Sequence, residues 1–261
     1  MPGFISRQER FAVVGSTNDV VRGWLADGTP EVCLAVADEQ TAGRGRDGRT
    51  WTAPNGAALL LSLGFRPTWL RAEHAWRLAA VVSMAMAEAA EVVAELPPGV
   101  IRLKWPHDLG VESGDAFLKL AGVLGETSGL GTPDPRVVVG IGVNTNWPAA
   151  DFPAELAASM TSLGEVSDRP IDHGALLDAF LRRLDSIVHR ARSAGFDGAA
   201  WAARQVTTGR DVILVMPDGS TDTARATGVD TDTGALVIGE RRVLVGEIRH
   251  VRIGAPERMA V

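Results

Sequence analysis

Hydrophobic and polar positions follow two regimes along this chain. Up to about residue 205, short apolar runs alternate with long helical patterns, and beyond it only short runs remain. Phe11–Val14 has the texture of a first strand. Gly15-Ser16-Thr17-Asn18-Asp19 follows with several good helix-capping residues, so Val20–Ala26 is expected to form one or two helical turns ended by Gly28. Val32–Ala37 and Ala58–Phe65 are further apolar strands. Between them Glu39–Gly56 is polar and rich in Gly and Arg, which predicts a loop. In Arg71–Val93, Ala75, Leu78, Ala79, Val82, Met86 and Ala89 recur at spacings of three and four, the pattern of a helix with one apolar face. Pro97-Pro98-Gly99 is expected to stop it.

Ile101–Lys104 leads as a strand into Trp105-Pro106-His107-Asp108. A hairpin turning at Glu112–Asp115 is expected next, with Phe117–Gly125 as its second arm. Arg136–Asn144 holds the β-branched run Val137-Val138-Val139. A second long helix is predicted over Asp172–Ala194, with Leu176, Leu177, Phe180, Leu181, Leu184, Ile187 and Val188 on its core face, and a shorter one over Phe196–Gln205. The last regime contains Val212–Val215, Ala224–Val229, Ala235–Ile238 and Arg242–Val245, punctuated by the turns Pro217-Asp218-Gly219 and Asp232-Thr233-Gly234. Mixed elements followed by strands alone predict an α+β domain, a mixed sheet flanked by helices over residues 1–206, with a small β-barrel over 207–261.

Composition narrows the function classes. With 46% apolar and 22% charged residues the chain is an ordinary globular sequence, and no apolar run approaches the ~20 residues that cross a bilayer. No signal-peptide core opens it, so a cytoplasmic protein is expected. A net charge of −6 argues against a nucleic-acid footprint. The single cysteine, Cys33, allows no internal disulfide and is expected to be a small buried hydrophobe. No cysteine pair accompanies the five scattered histidines, so no structural zinc site is expected.

Four features can carry chemistry. Gly43-Arg44-Gly45-Arg46-Asp47-Gly48 fits G-x-G-x-x-G, but a dinucleotide fold needs an apolar helix after the last glycine. The chain continues Arg49-Thr50-Trp51-Thr52-Ala53-Pro54 instead, which excludes that reading. A phosphate-binding P-loop is also excluded, because no Gly-Lys-Ser/Thr follows. What remains is a loop whose glycines admit close backbone approach and whose Arg44, Arg46 and Arg49 suit carboxylate or phosphate oxygens; a solvated basic loop fits equally. Lys104-Trp105-Pro106-His107-Asp108 places a cation and a carboxylate across a turn, as a surface ion pair would. Lys119 stands alone in Phe117–Leu124, where a snorkelling lysine is the ordinary case. Gly140-Ile141-Gly142-Val143-Asn144 puts glycines inside a strand, a sign of close approach by a ligand or of a bulge.

Taken in order, Ser16-Thr17-Asn18, Gln40-Thr41-Ala42-Gly43-Arg44-Gly45-Arg46, Arg49-Thr50-Trp51, Lys104-Trp105-Pro106-x-Asp108, Lys119-Leu120-Ala121-Gly122 and Gly140-x-Gly142-x-Asn144 resemble the catalytic domain of the biotin–protein ligases. The resemblance spans about residues 10–147. It implies a class II synthetase-like fold with an SH3-like C-terminal barrel. It also implies a two-step reaction: biotin and ATP give biotinyl-5′-AMP and pyrophosphate, and a lysine of a biotin carboxyl carrier protein then takes the biotinyl group. Mg²⁺ would arrive with the nucleotide rather than in a protein cage.

By the same resemblance, Lys119, Arg46, Asp108 and Lys104 are catalytic candidates. Ser16, Thr17, Asn18, Gln40, Gly43, Arg44, Gly45, Arg46, Lys119, Gly122 and Gly142 would bind biotin. Arg44, Arg46, Arg49, Trp51, His107, Lys119 and Asn144 would meet ATP or the adenylate, with Trp51 folding over it. Transfer needs a neutral amine, and Asp108 is the candidate proton acceptor, with a structural role at the Lys104 turn as the alternative. His107 departs from the family, which usually has Asn there. Only about ten residues precede the first motif strand, so a monofunctional member without a DNA-binding domain is expected, with homodimerisation left open. A lipoate or octanoate ligase or transferase of the same fold, or a biotin-binding module without transfer activity, is the alternative reading.

Overall fold

The computed structural model describes residues 3–244 and 250–253. Seven strands form one sheet: β1 (Arg7–Val14), β2 (Cys33–Gln40), β3 (Ala58–Phe65), β4 (Arg102–Lys104), β5 (Asp108–Ser113), β6 (Ala116–Ser128) and β7 (Arg136–Asn144). Their spatial order is β1-β2-β3-β7-β6-β5-β4. Only β1 and β2 run parallel, joined across the sheet by helix α1 (Thr17–Ala26); the other neighbours are antiparallel. The strand expected at Val32–Ala37 runs on to Gln40, because its parallel ladder with β1 continues through Val14↔Gln40.

The two faces of the sheet are covered unequally. Helix α2 (Trp76–Val93) packs with α5 (His173–Ser193) over one face, against Leu61, Leu63, Phe65, Val139, Ile141 and Val143. On the other face the covering helix among the described residues is α1, whose Val21, Trp24 and Leu25 pack on Cys33, Ala35 and Val138. Cys33 is fully buried there. Covering on both faces explains why β3 is buried along its whole length. The part of the second face beyond α1 carries Gly122, Gly140 and Gly142, and there a cavity opens.

Element ends depart from the sequence reading for local reasons. Helix α1 begins at Thr17, one turn earlier than expected, since Thr17 and Asn18 turn inward and are buried. Helix α2 begins at Trp76 rather than Arg71, after a short 3₁₀ turn over Ala72–His74; His74 of that turn and Arg77 of the first helical turn both reach out to Asp232. It ends at Val93, before the prolines, where Glu95 takes a left-handed φ of 54°. In α5, Asp172 caps the first turn by accepting a hydrogen bond from the Ala175 amide. Two short helices, α3 (Ala154–Ala157) and α4 (Leu163–Ser167), follow β7 with no expected counterpart.

After α6 (Gly198–Ala203) the chain forms β8 (Asp211–Val215), β9 (Thr221–Arg225), β10 (Gly228–Val229), β11 (Leu236–Ile238), β12 (Arg241–Val243) and β13 (His250–Ile253). They make two three-stranded sheets, β10-β11-β12 and β13-β8-β9. The run expected as one strand, Ala224–Val229, turns a corner at Ala226-Thr227 and serves both sheets: the Ala226 amide bonds Arg210 and the Thr227 amide bonds Val237. Among the described residues no strand pairing joins the two sheets into a closed barrel. Val245, the end of the last expected run, lies outside the described residues.

Candidate active site

The cavity encloses about 780 Å³, within the size range of pockets for drug-sized ligands. Its floor is polar and built from α1, β2 and β3. The Gln40 side-chain carbonyl accepts from both the Thr17 amide (2.8 Å) and hydroxyl (3.0 Å), and the Thr17 hydroxyl also lies 2.6 Å from that of Ser62. Ser62 Oγ donates to Asn18 Oδ1 at 2.6 Å, and Asn18 Nδ2 donates to Glu126 at 2.7 Å. Thr17, Asn18 and Ser62 are all buried, so this chain fixes which amide and hydroxyl atoms a ligand would meet. Gly140 is required beside it: a Cβ there would collide with Asn18 Oδ1.

The opposite wall is cationic. Lys119 comes from β6, Lys104 from the end of β4, and Arg46 and Arg49 from the arginine–glycine loop; all four line the cavity with Asp108. The sequence pairs Asp108 with Lys104 across the turn, and the strands do place them opposite each other. The hydrogen-bonded ion pair, however, is Lys119 Nζ to Asp108 Oδ2 at 2.9 Å. Burial alone would raise the Asp108 carboxyl, but the charges of Lys119, Arg46 and Lys104 outweigh it and hold the group down at about 2. Lys104 moves the other way. Burial, helped by the neighbouring cations, lowers its ammonium to about 8 despite Asp108.

A bulge aims Lys119. The register between β5 and β6 slips between Leu109 and Gly110, leaving Leu120 as an extra residue on β6. Lys119 and Gly122, three apart, therefore both face the cavity while Leu120 and Ala121 stay in the core. The Lys119 amide and carbonyl are gripped by a strap, donating to Ser159 O (2.8 Å) and accepting from Thr161 N (2.9 Å).

The loop Thr41–Gly56 folds as a hairpin. Gly45 N bonds Arg49 O and Trp51 N bonds Gly43 O, with a 3₁₀ turn at Arg46–Gly48. Trp51 lies flat on the strands: a Cβ at Gly122 would come within 2.6 Å of its ring and one at Gly142 within 2.5 Å of its Nε1. Lys119 Nζ sits 5.6 Å from the ring centroid. Trp51 Nε1 is buried without a hydrogen-bond partner.

Most residues named from sequence line this cavity: Ser16, Thr17, Asn18, Gln40, Arg44, Gly45, Arg46, Arg49, Trp51, Lys104, Asp108, Lys119, Gly122 and Gly142. Gly43, His107 and Asn144 do not. Asn144 is fully buried, and its Nδ2 donates to Thr161 O at 3.0 Å while its Oδ1 has no partner. His107 Nδ1 is likewise buried and unpaired, and burial together with Arg46 pushes the imidazole down to about 3. Ser62 and Glu126 were missed, although both left signals. Ser62 is the lone hydroxyl in an apolar strand, and Glu126 follows Gly122 and Leu124 at the spacing of one strand face. Among the described residues no three His, Cys, Asp or Glu side chains converge as a metal cage, and no helix is long and apolar enough to cross a membrane.

Comparison with known proteins agrees with this geometry. The model of the biotin/lipoate A/B protein ligase family matches residues 11–144. The chain is 32% identical over 247 residues to the biotin–[acetyl-CoA-carboxylase] ligase of Mycobacterium tuberculosis, covering 92% of this chain and 88% of that one. It is 31% identical over 220 residues to the enzyme of the same name from Paracoccus denitrificans, covering 82% and 87%. The biotin protein ligase of Aquifex aeolicus in complex with biotin and ATP superposes with a TM-score of 0.77 at 26% identity, covering 95% of this chain and 99% of that one. The chain belongs to the biotin/lipoate A/B protein ligase family.

Proposed function

We propose that this protein is a biotin–protein ligase. It activates biotin with ATP to biotinyl-5′-AMP and passes the biotinyl group to a lysine of the carboxyl carrier domain of a biotin-dependent carboxylase. The observation that carries this reading is one cavity in which a polar floor meets four cations, Lys104, Lys119, Arg46 and Arg49. A carboxylate and a polyphosphate repel each other, and positioned cations offset that repulsion as charge moves in the transition state. A carboxylate oxygen of biotin forms a bond to the α-phosphorus, and the bond to the departing pyrophosphate breaks.

Ser16, Thr17, Asn18 and Gln40 suit the ureido end of biotin, whose carbonyl and two N–H groups need both donors and acceptors. Gly43, Gly45, Gly122 and Gly142 let backbone and ring approach the ligand. Lys119, Lys104, Arg46 and Arg49 take the carboxylate and phosphate oxygens, and Arg44 borders the same groups. Trp51 shields the anhydride from water. His107 and Asn144 meet the nucleotide only after it enters, and each keeps a buried unpaired atom for it. Mg²⁺ belongs with the nucleotide phosphates.

Asp108 changes role in this account. A carboxyl held below its usual range by Lys119, Arg46 and Lys104 is a weak resting base for an acceptor amine whose ordinary value is near 10.4. Asp108 therefore positions Lys119 and orients the incoming amine. Once water has taken its proton, the amine nitrogen forms a bond to the acyl carbon, and the bond from that carbon to the AMP phosphate oxygen breaks. Residues 1–206 form the catalytic unit and 207–261 the appended one. The need for ATP suits the cytoplasm.

The test is ATP–pyrophosphate exchange. Exchange that requires biotin, and is not supported by lipoate or octanoate, is expected. Exchange with lipoate alone would replace the reading with a lipoate ligase, and biotin binding without exchange would replace it with a binding module.

A further inference from the structure

Strand β6 orders the cavity along its length. Leu124 pairs with Gly140, beside the Asn18 amide of the polar floor. Gly122 pairs with Gly142 under the Trp51 ring. Lys119 follows with its bond to Asp108, and Phe117 comes last, on the same side of the hairpin. At about 3.3 Å per residue, Lys119 lies about 16 Å from Leu124, and Phe117 about 7 Å beyond Lys119. A ligand whose ureido end rests on the floor and whose carboxylate reaches Lys119 therefore carries whatever is joined to that carboxylate toward Phe117.

The wall at this far end is the tip of the β5–β6 hairpin, where Asp115, Ala116 and Phe117 line the cavity. Ser113 pairs with Ala116 around the two-residue turn Gly114-Asp115, and Gly114 takes the positive φ, 58°, that so tight a turn asks for. The Phe117 ring lies across the facing strand: a Cβ on Gly110 would come within 2.5 Å of its Cζ. Met160, bridged to Lys119, lines the same cavity with Pro153 and Leu156, so the lining here is largely apolar.

The tip is held from outside the hairpin. Arg210 donates from Nη2 to the Glu112 carboxylate and from Nη1 to the Asp115 carbonyl at 3.3 Å. One planar guanidinium thus grips a side chain of β5 and the backbone of the turn, which the point charge of a lysine could not do. Arg102 Nε stands 4.0 Å from the other Glu112 oxygen. Arg210 is aimed in its turn by the backbone. Its amide bonds the Thr207 carbonyl, Gly209 takes a φ of 79°, and the Ala226 amide bonds the Arg210 carbonyl. Arg210 does not itself line the cavity.

We propose that Arg210 is a positioning residue for the nucleotide: it fixes the hairpin tip, and so holds Phe117 as the wall against which the nucleoside half of the adenylate rests. The identity of that ligand rests on the ligase reading; the clamp on the tip does not.

Hydrogen exchange and ATP–pyrophosphate exchange test the two parts separately. In the ligand-free protein, Arg210→Gln should speed exchange of the amides of residues 111–117 about two- to fivefold, the range for a partly exposed pair. The amides of β3 and the melting temperature should not change. In turnover, Arg210→Gln should raise the ATP KM about two- to fivefold, with kcat and the biotin KM close to wild type. Phe117→Ala, which removes the wall itself, should raise the ATP KM about tenfold. Glu112→Gln should reproduce Arg210→Gln, and the double variant should be no worse than either single one. It also supplies the same readouts if Arg210→Gln fails to fold. Tip amides that exchange alike in wild type and both variants would overturn the clamp. ATP and biotin KM values that rise together, or a lowered melting temperature with equal loss toward both substrates, would overturn the role in nucleotide positioning. If wild type shows no biotin-dependent exchange, the ligase reading falls and this role with it, while the tip amides still decide the clamp.

Discussion

Single side chains set the chemistry, and Lys119 matters most among them. It is one third exposed and bound to a nearly buried Asp108. On the proposed reaction, removing it takes a cation from the reacting oxygens; in the structure it strands the Asp108 carboxylate. Lys119→Gln keeps a donor for Asp108 and loses only the charge. It is expected to melt close to wild type and to lose biotin-dependent exchange about 100-fold or more; Lys119→Ala should lose as much activity with an added fall in stability. Exchange at the wild-type rate in both would refute the assignment. His107 makes a separate prediction in pH. Its folded value of about 3 lies below the ordinary 6.5, so between those values the unfolded chain takes up a proton that the folded one refuses. Stability is then lost as pH falls from 6.5 toward 3. His107→Asn lacks this loss, and from pH 7.5 to pH 5 its stability should gain about 1–2 kcal/mol on wild type in denaturant melts. A constant difference across that range would contradict the burial of the neutral ring. At this scale the sequence displayed the cations, because each sat in a recognisable motif. It hid the pairing, since Asp108 is adjacent in sequence to Lys104's turn while its partner Lys119 is brought in by another strand.

Elements decide where those side chains point. The unbroken apolar run of β3 and the β-branched run of β7 match both strands end to end, because short runs of these kinds favour a strand. The bulge at Leu120 was not legible: one extra residue changes no pattern until the partner strand is known, yet it is what turns Lys119 and Gly122 to the same side. The strap after β7 was equally hidden, since α3 and α4 are too short to show a period. The glycines of β7 are visible as oddities, and the Trp51 ring explains Gly142 together with Gly122 of β6. Gly142→Ala would set a methyl against the indole and force the ring and its loop outward. We expect an intact fold, a biotin KM raised at least tenfold and faster loss of the adenylate. An unchanged KM would mean that Trp51 does not rest on the strand.

At the scale of the molecule, residues beyond 206 hold the Trp105 turn. Trp105 is buried; its amide donates to the Thr207 hydroxyl and its indole Nε1 to Gly234 O, both at 2.9 Å. Leu103 and Gln205 lie side by side in a further bridge, and Arg210 pairs with Glu112 near the hairpin tip that lines the cavity. Texture alone marks where the β-rich tail begins, but the bonds that hold the Trp105 side chain and amide join residues more than a hundred positions apart. Thr207→Val leaves a buried amide unpaired, which costs about 1–3 kcal/mol. It should lower the melting temperature and the exchange rate together, whereas a stable variant with full activity would show that the turn stands alone.

The central claim is that this one cavity makes an activated biotin and gives it to a protein lysine. Labelled biotin, ATP and Mg²⁺ incubated with a purified carboxyl carrier domain test it most directly. The account predicts label covalently attached to one lysine of the carrier, dependent on ATP and absent with Lys119→Gln. A carrier left unlabelled by wild type, with biotin bound and ATP consumed or not, would contradict it.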